Sequence, residues 1–206
     1  MGRTSFSRVF AGDDDDEDDE KTPKGTDALV ERMLETRTIL LSGQVNKDLA
    51  EKVIRQMILL EARSDAPVTI MIDSPGGDVD AGFAIFDMAR FIRPPVWMVG
   101  MGLVASAGAL ILLAAPVERR IALPNSHYLI HQPLSGLRGV ATDIEIHARE
   151  IEKTKQRLNR LIADETGQPL DRVIKDTDRD YWMSAEDAIA YGLVSRIART
   201  REDLKM

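Results

Sequence analysis

The chain of 206 residues contains no cysteine, and this absence removes several kinds of chemistry at once. Disulfide bonds, thiolate nucleophiles and cysteine-ligated zinc or iron–sulfur centres are all excluded. Histidine is scarce as well, because the sequence has only His127, His131 and His147. Any reaction that uses an imidazole therefore has three candidate residues.

Aromatic side chains and clusters of positive charge are also rare. Aromatics make up 5% of the residues, and the net charge is −7. Nucleic-acid binding depends on grouped Lys and Arg side chains or on aromatic platforms for the bases. The composition therefore argues against a nucleic-acid partner. Because the first residues lack the apolar stretch of a secretory signal, we expect a soluble protein of the cytoplasm.

Charged residues are missing from one long stretch, residues 96–115. Its 20 residues meet the length requirement of a membrane-spanning helix. Gly100, Gly102 and Gly108 interrupt the stretch, and Pro116 ends it. A buried strand, a turn and a helix are therefore favoured over a membrane span.

Residues 1–25 differ in composition from everything that follows. Residues 13–20 are eight consecutive carboxylates. Such a block repels itself and cannot bury apolar surface, so we expect an acidic, disordered tail over 1–25. Residues 26–206 are expected to form one folded domain.

From residue 27 onwards, helical and extended patterns alternate. This alternation predicts an α/β domain with crossover connections. Helices are predicted at 27–35, 47–62, 79–91, 106–115 and 141–165 and after Ser184; strands at 38–41, 68–72, 96–101, 119–123 and 127–131, with a last short strand near the C-terminus. An apolar face is expected on the third helix from Val79, Phe83, Phe86 and Phe91.

Two sequence features could hold developing negative charge and supply a nucleophile. Gly76 and Gly77 follow a predicted strand, and glycines there can expose backbone N–H groups to an oxyanion, although an ordinary turn explains them too. Ser106 stands between Ala105 and Ala107, whose small side chains leave its hydroxyl accessible. The alternative role for Ser106 is that of a helix N-cap.

A base and an acid complete the set of candidates. His131 ends a predicted strand and could act as a general base. A zinc pair of His127 and His131 lacks a third ligand nearby, and His147 is expected to face solvent. Three carboxylates lie close together beside Trp182, which could shield one of them, and the residues alone do not choose among Asp176, Asp178 and Asp180.

Taken together, several segments resemble the proteolytic subunit of the ATP-dependent Clp protease, a family of serine peptidases. The matching motifs are SPGG (74–77), MGLVASAG (101–108), LPNSHYLIHQP (123–133), ATDIEIHAREI (141–151) and DTDRDYWMSAEDAIAYGLV (176–194). The resemblance implies the spiral of β-β-α units that this family shares with crotonases, with a protruding handle helix at about 141–165.

The resemblance also implies roles for individual residues. Ser106 corresponds to the nucleophile, His131 to the general base and Asp180 to the acid that orients it. The backbone amides of Gly77 and Ala107 correspond to the oxyanion hole. Leu134 and Gly136 resemble the strand that pairs with an extended peptide substrate, and no metal is implied.

Assembly and partners are implied by the resemblance in the same way. The family forms two stacked seven-membered rings around a chamber, with the handle helix between the rings and Arg179 in the inter-ring segment. An AAA+ unfoldase feeds unfolded polypeptides into that chamber. This chain has no Walker A motif, so we expect it to need no cofactor and ATP to be used by the partner.

Departures from the family pattern leave alternatives open. The family usually has methionine after the nucleophile, where this chain has Ala107. It also often has tyrosines in the strand before SPGG, where Thr69 and Met71 stand here, which puts the choice of unfoldase in doubt and is compatible with a paralogous subunit in a mixed ring. The alternatives are a non-cleaving ring subunit, an acyl-CoA enzyme of the crotonase type and a membrane-associated serine–lysine peptidase.

Overall fold

The computed structural model describes residues 25–134, 136 and 138–204. The acidic block at 13–20, and with it nearly all of the predicted tail, lies outside the described residues. The helices are α1 (Gly25–Glu35), α2 (Lys47–Arg63), α3 (Val79–Phe91), α4 (Ala107–Leu112), α5 (Ala141–Thr166), α6 (Leu170–Asp176) and α7 (Ala185–Tyr191). The strands are β1 (Thr38–Ser42), β2 (Val68–Ser74), β3 (Val96–Ala105), β4 (Arg120–Ala122), β5 (His127–Ile130), β6 (Tyr181–Met183) and β7 (Arg196–Ile197). Single 3₁₀ turns occur at Val117–Arg119 and Arg201–Leu204.

A mainly parallel sheet in the order β1-β2-β3-β4-β7 forms the centre of the chain. Helices α2 and α3 are the crossovers between its first three strands, as the alternating pattern predicts. Strand β2 is buried along most of its length, because helices cover this sheet. The α/β fold class predicted from the sequence is therefore confirmed.

The crossover helices begin at side-chain caps that the sequence supplies. Asn46 accepts a hydrogen bond from the amide of Leu49 at 2.9 Å, and Asp78 accepts one from the amide of Ala81 at 2.7 Å. Each cap satisfies a backbone donor that the first helical turn leaves free. The caps fix where the chain leaves the carboxyl ends of β1 and β2, which is the edge where the candidate residues lie.

Strand β3 is longer than predicted and changes partner halfway along. Residues 98–100 pair with β4, whereas residues 103–105 pair with β5. Between these two parts the chain bulges at Gly102, whose φ is +54°, and Asp73 accepts a hydrogen bond from the amide of Leu103 at 3.0 Å. The predicted glycine turn is therefore a bulge within one strand.

Helix α5 extends away from the rest of the chain. Residues 141–150 are all exposed, and the buried residues of this helix, Asn159, Ile162 and Ala163, lie near its C-terminal end. The helix thus has the bounds and the protruding shape expected of the handle.

The structure corrects the prediction for Phe91 and adds two short elements to those predicted. Phe83 and Phe86 are buried, but Phe91 is 81% exposed, because it lies at the last residue of α3, where the apolar face has left the core. Helix α6 and strand β6 were not predicted. Residues 96–115 form β3 and α4 with the turns around them, and in the described part of the chain no helix is both long and apolar enough to cross a membrane.

Candidate active site

Two neighbouring strands end at one edge of the sheet and a third begins there, and each places a polar side chain at that edge. Ser106 follows the last residue of β3, His131 follows the last residue of β5, and Asp180 precedes the first residue of β6. Strands β3 and β5 are parallel, while β5 and β6 are antiparallel. The hydroxyl, the imidazole and the carboxylate are therefore brought together by strand pairing.

Ser106 occupies an unusual backbone conformation at the start of α4. Its φ is +54° and its ψ is −117°, a region that residues other than glycine rarely adopt. Its amide donates to the carbonyl of Leu129 at 2.9 Å, and its carbonyl accepts from the amide of Leu110 at 3.0 Å. Ser106 is the N-cap residue of α4, as the alternative predicted, but its side chain makes no hydrogen bond to a helical amide. Strained residues of this kind cluster at active sites, because the surrounding structure must hold them in place.

The Ser-Pro-Gly-Gly turn (residues 74–77) packs against Ser106. A methyl group at Gly76 would lie 2.6 Å from the Cβ of Ser106 and 3.0 Å from the amide nitrogen of Ala107. Gly77 has a φ of +147° and forms a parallel bridge with Val45, which uses the amides of Val45 and Asp78. The Gly77 amide takes no part in this bridge. It lies one residue from the contact with Ser106, where it is available for a ligand.

The first amide of α4 belongs to Ala107, which directly follows Ser106 in the chain and lies near Gly76. The first amides of a helix have no carbonyl partner within it. Ala107 is buried, and its small side chain lets α4 pack closely on α3 at Gly82, where a methyl group would be 3.3 Å from the Cβ of Ala107. Gly77 follows the glycine that contacts Ser106, and Ala107 follows Ser106 itself, so both amides belong to segments that meet at Ser106; paired backbone amides are the kind of donor that can stabilise an oxyanion.

His131 and Asp180 face each other one step beyond a β-ladder. Ile130 pairs with Tyr181 in antiparallel register, and continuing that register sets His131 opposite Asp180. The Nδ1 of His131 lies 3.3 Å from the Oδ1 of Asp180. The imidazole is mostly covered, with 12% of its side chain exposed, whereas 62% of the Asp180 side chain is exposed. A carboxylate on Nδ1 leaves Nε2 free to take a proton from a hydroxyl.

An apolar pocket lies beside these residues. Ser106 and His131 form part of its wall, and α5 closes one side. Its apolar lining comes from Val79, Leu110, Leu113, Ile130, Pro133, Leu158 and Ile162. The pocket therefore offers a place for an apolar side chain next to the hydroxyl and the imidazole.

The three clustered aspartates have different surroundings. The Oδ2 of Asp176 lies 3.4 Å from the Nε of Arg172, and burial together with the negative charge of Asp176 raises the pKa of Tyr191. Asp178 is exposed and Asp180 contacts His131. Trp182 is 57% exposed and pairs with Leu129, and its shielding of an aspartate stays a prediction.

The other histidines do not join this site. His127 is the first residue of β5, four residues from His131, and four residues of a strand span about 13 Å, too far to share one ion. His147 lies on the exposed part of α5, as expected. Over the described ranges, no group of three His, Asp or Glu side chains could hold a metal ion.

The predicted substrate strand differs from expectation in form. Residues 131–134 belong to no strand, because β5 ends at Ile130. Leu134 is 81% exposed, and Gly136 is exposed with open space around its Cα. The chain around Leu134 and Gly136 is exposed, and within the described residues no strand pairs with residues 131–134.

Two supporting contacts were not predicted from the sequence. Gly76 was predicted, together with Gly77, to expose backbone N–H groups to an oxyanion or to form an ordinary turn, whereas the structure shows that it also allows a close approach to Ser106. Gln132 was not singled out, although its side chain donates to the carbonyl of Asp178 at 2.6 Å. Neither contact has a local sequence signal, because each joins segments distant in the chain.

Comparison with known proteins gives consistent matches over most of the chain. A family model described as Clp protease matches residues 21–201. The ATP-dependent Clp protease proteolytic subunit 2 of Treponema denticola is 57% identical over 196 residues, which cover 95% of this chain and 98% of that protein. The ATP-dependent Clp protease proteolytic subunit 3 of Rhizobium etli is 52% identical over 193 residues, covering 92% of this chain and 99% of that protein.

A solved structure matches as well. A ClpP1 point mutant from Listeria monocytogenes superposes with a TM-score of 0.81 at 48% sequence identity. The match covers 86% of this chain and 99% of the Listeria chain. A sequence identity of 48% shows relationship within one family as well as a shared fold.

Proposed function

The chain belongs to the Clp protease family of serine endopeptidases, and on that premise we propose that Ser106 is its nucleophile, His131 its general base and Asp180 the acid that orients the base. The family and fold predicted from the motifs are thereby confirmed. The observation that carries the assignment of the three residues is their position at one sheet edge, with Nδ1 of His131 3.3 Å from Asp180.

The proposed reaction is acyl transfer from a peptide bond. His131 takes the proton of the Ser106 hydroxyl at Nε2 while Asp180 holds the ring through Nδ1. The oxygen of Ser106 attacks the peptide carbonyl, and the resulting oxyanion is held by the amides of Gly77 and Ala107. His131 then donates its proton to the leaving amine, and water cleaves the acyl-enzyme. These reaction steps need no metal and no cofactor.

Substrate binding is proposed to use backbone and one apolar side chain. The exposed segment around Leu134 and Gly136 can pair with an extended peptide through main-chain hydrogen bonds. The pocket beside Ser106 is lined by apolar side chains, which favours an apolar residue next to the scissile bond. Extended pairing requires the substrate to be unfolded.

The proposed assembly is two stacked rings of seven subunits around a chamber. The protruding half of α5 supports this, because the exposed apolar side chains of Ile144 and Ile146, with Val140 just before the helix, need a partner surface. We further propose that an AAA+ unfoldase supplies the polypeptides and hydrolyses the ATP, and that the cysteine-free chain works in the cytoplasm.

Labelling with a fluorophosphonate, followed by intact mass measurement, tests the nucleophile directly. We expect one adduct per chain in the assembled protein and none in Ser106→Ala. Labelling should fall about 100-fold or more in His131→Ala and in Asp180→Asn. Ser184→Ala is the matched control, because Ser184 caps α7 away from the site, and it should label like the parent protein.

Two results would contradict this assignment. An adduct that persists in Ser106→Ala would place the reactive hydroxyl elsewhere. A folded, assembled protein that neither labels nor cleaves an unstructured peptide would be a non-cleaving subunit, the alternative that the departures at Thr69 and Met71 leave open.

A further inference from the structure

The position of Asp180 depends on a short loop between α6 and β6. This aspartate loop (residues 177–180) carries a carboxylate whose side chain is 62% exposed. An exposed carboxylate has several rotamers available to it, and a loop adds backbone freedom. Something other than burial must therefore keep Asp180 opposite His131.

Gln132 contacts the aspartate loop through two donors. Its backbone amide donates to the carbonyl of Thr177 at 2.7 Å, and its side-chain Nε2 donates to the carbonyl of Asp178 at 2.6 Å. Gln132 directly follows His131 in the chain. The residue next to the base thus binds the two peptide units on either side of Asp178, which lies two residues before the acid.

The strand register explains why these contacts are needed. If the ladder between β5 and β6 continued, Gln132 would face Arg179. Its amide instead bonds to Thr177, so the aspartate loop departs from the register directly after the pair of His131 and Asp180. Gln132 spans the place where the ladder stops supporting the loop.

The first residue of the aspartate loop is fixed independently. Thr177 is fully buried, and its Oγ1 lies 2.8 Å from both the carbonyl of Val173 and the Oδ1 of Asn159 on α5. Substitution of Gln132 would leave this anchor in place. The effect of the Gln132 side chain is therefore separable from the folding of the loop.

We propose that Gln132 is a positioning residue for the peptidase reaction, whose side-chain amide holds the aspartate loop so that Asp180 stays within hydrogen-bonding reach of His131. This inference rests on the proposed function of the three site residues. Gln132 itself exchanges no proton and acts through Asp180.

The test uses Gln132→Met in the full-length, assembled protein. Methionine has a similar length but no donor, and the loss of one hydrogen bond corresponds to a decrease of about 3- to 10-fold. We expect the rate of fluorophosphonate labelling and the kcat for a short peptide to fall by that factor, with KM unchanged. Gln168→Met is the matched control, because the Nε2 of Gln168 donates to the carbonyl of Tyr191 at 3.0 Å, a comparable bond outside the site. It should leave both rates unchanged.

A double-mutant cycle with Asp180→Ala separates positioning from a general structural role. If Gln132 acts through Asp180, Gln132→Met should have no further effect on labelling once Asp180 is absent. An equal loss in both backgrounds would overturn the proposal, and so would a labelling rate for Gln132→Met equal to that of the parent.

Two further outcomes distinguish a failure of the proposed function from a failure of the proposed role of Gln132. A parent protein that does not label contradicts the proposed function itself, whatever the Gln132 variants do. If Gln132→Met fails to assemble by sedimentation, Gln132→Asn takes its place in the same cycle, since its shorter amide keeps the polarity but not the reach to Asp178.

Discussion

Gly76 lies directly against Ser106, with no room for a side chain between them. A Cβ at Gly76 would be 2.6 Å from the Cβ of Ser106 and 2.7 Å from the carbonyl oxygen of Ala105. Its φ of +89° is in the region that favours glycine. This contact joins the turn with one proposed oxyanion donor to the turn with the proposed nucleophile.

Gly76→Ala should therefore displace these two turns relative to each other. We expect peptidase activity to fall about 100-fold, because displacements of about 1 Å have effects of that size. The free energy of unfolding should fall by about 1–3 kcal/mol, through the positive φ and the clash. Peptide hydrolysis and urea unfolding measure the two effects.

Gly167→Ala is the control for backbone strain alone. Gly167 has a φ of +72° at the C-terminus of α5, and a methyl group there would meet nothing within 4 Å. This variant should lose about 1 kcal/mol of stability yet keep its activity per folded subunit. Equal activities of the two alanine variants would contradict the importance of the contact between Gly76 and Ser106.

The backbone conformation of Ser106 predicts that a glycine variant at this position is more stable than an alanine variant, the reverse of the usual order. At ordinary positions glycine is less stable than alanine, but at a φ of +54° glycine avoids the strain that a Cβ causes. Ser106→Gly should be more stable than Ser106→Ala by about 1 kcal/mol, and both should be inactive. Urea unfolding of the two variants checks the sign, and an alanine variant as stable as the glycine one would exclude strain at this residue.

Arg37 is predicted to be important for stability and not for catalysis. Its guanidinium donates to four backbone carbonyls at the end of α2 and in the loop that follows, those of Leu60, Ser64, Ala66 and Pro67. Arg37→Lys should lower the free energy of unfolding by about 1–3 kcal/mol, because an ammonium group cannot reproduce the planar array of donors. Activity per folded subunit should not change.

Arg55→Lys provides the comparison for Arg37→Lys. Arg55 lies on the exposed side of α2 and forms an ion pair with Glu51. An exposed pair of this kind contributes little, so this substitution should change stability by less than about 0.5 kcal/mol. A similar effect of both substitutions would show that the carbonyl contacts of Arg37 contribute nothing.

Tyr128 gives a pH dependence in the alkaline range. Its side chain is fully buried on β5, and burial raises the pKa of its hydroxyl to about 12. The unfolded chain ionises near pH 10, so between about pH 10 and 12 it binds fewer protons than the folded chain. The contribution of Tyr128 is therefore fully present below pH 10 and decreases by about 2–3 kcal/mol as the pH rises to 12.

Tyr128→Phe isolates this contribution. The difference in unfolding free energy between parent and variant should be constant below about pH 9 and shift in favour of the variant between pH 10 and 12. Urea unfolding over this pH range measures it. A difference that stays constant up to pH 12 would mean that the phenol ionises at the same pH in both states.

Much of the fold could be predicted because its signals are local. The spacing of Ala50, Val53, Met57 and Leu60 places one face of α2 in the core. The run of apolar and β-branched residues in β2 predicts a buried strand. Caps such as Ser184 with Asp187 mark where helices begin. Helix α6 and strand β6 escaped prediction, because they are short and their conformation depends on packing against other segments.

The candidate site could be predicted only in part from the sequence. The residues themselves supplied a hydroxyl at Ser106, an imidazole at His131 and three carboxylates, and the family motifs singled out Asp180. The structure gives the physical ground for that choice, because the register of β5 and β6 sets Asp180, and not Asp176 or Asp178, opposite His131.

What the sequence determined by itself is the order of the longer helices and strands, the family and the types of reactive group available. The tertiary structure decided which carboxylate meets the imidazole, the positive φ of Ser106 and the contacts of Gly76 and Gln132. The reason is that propensity and periodicity act over neighbouring residues, whereas these contacts join segments about 30 to 50 residues apart, whose pairing is fixed only when the sheet forms.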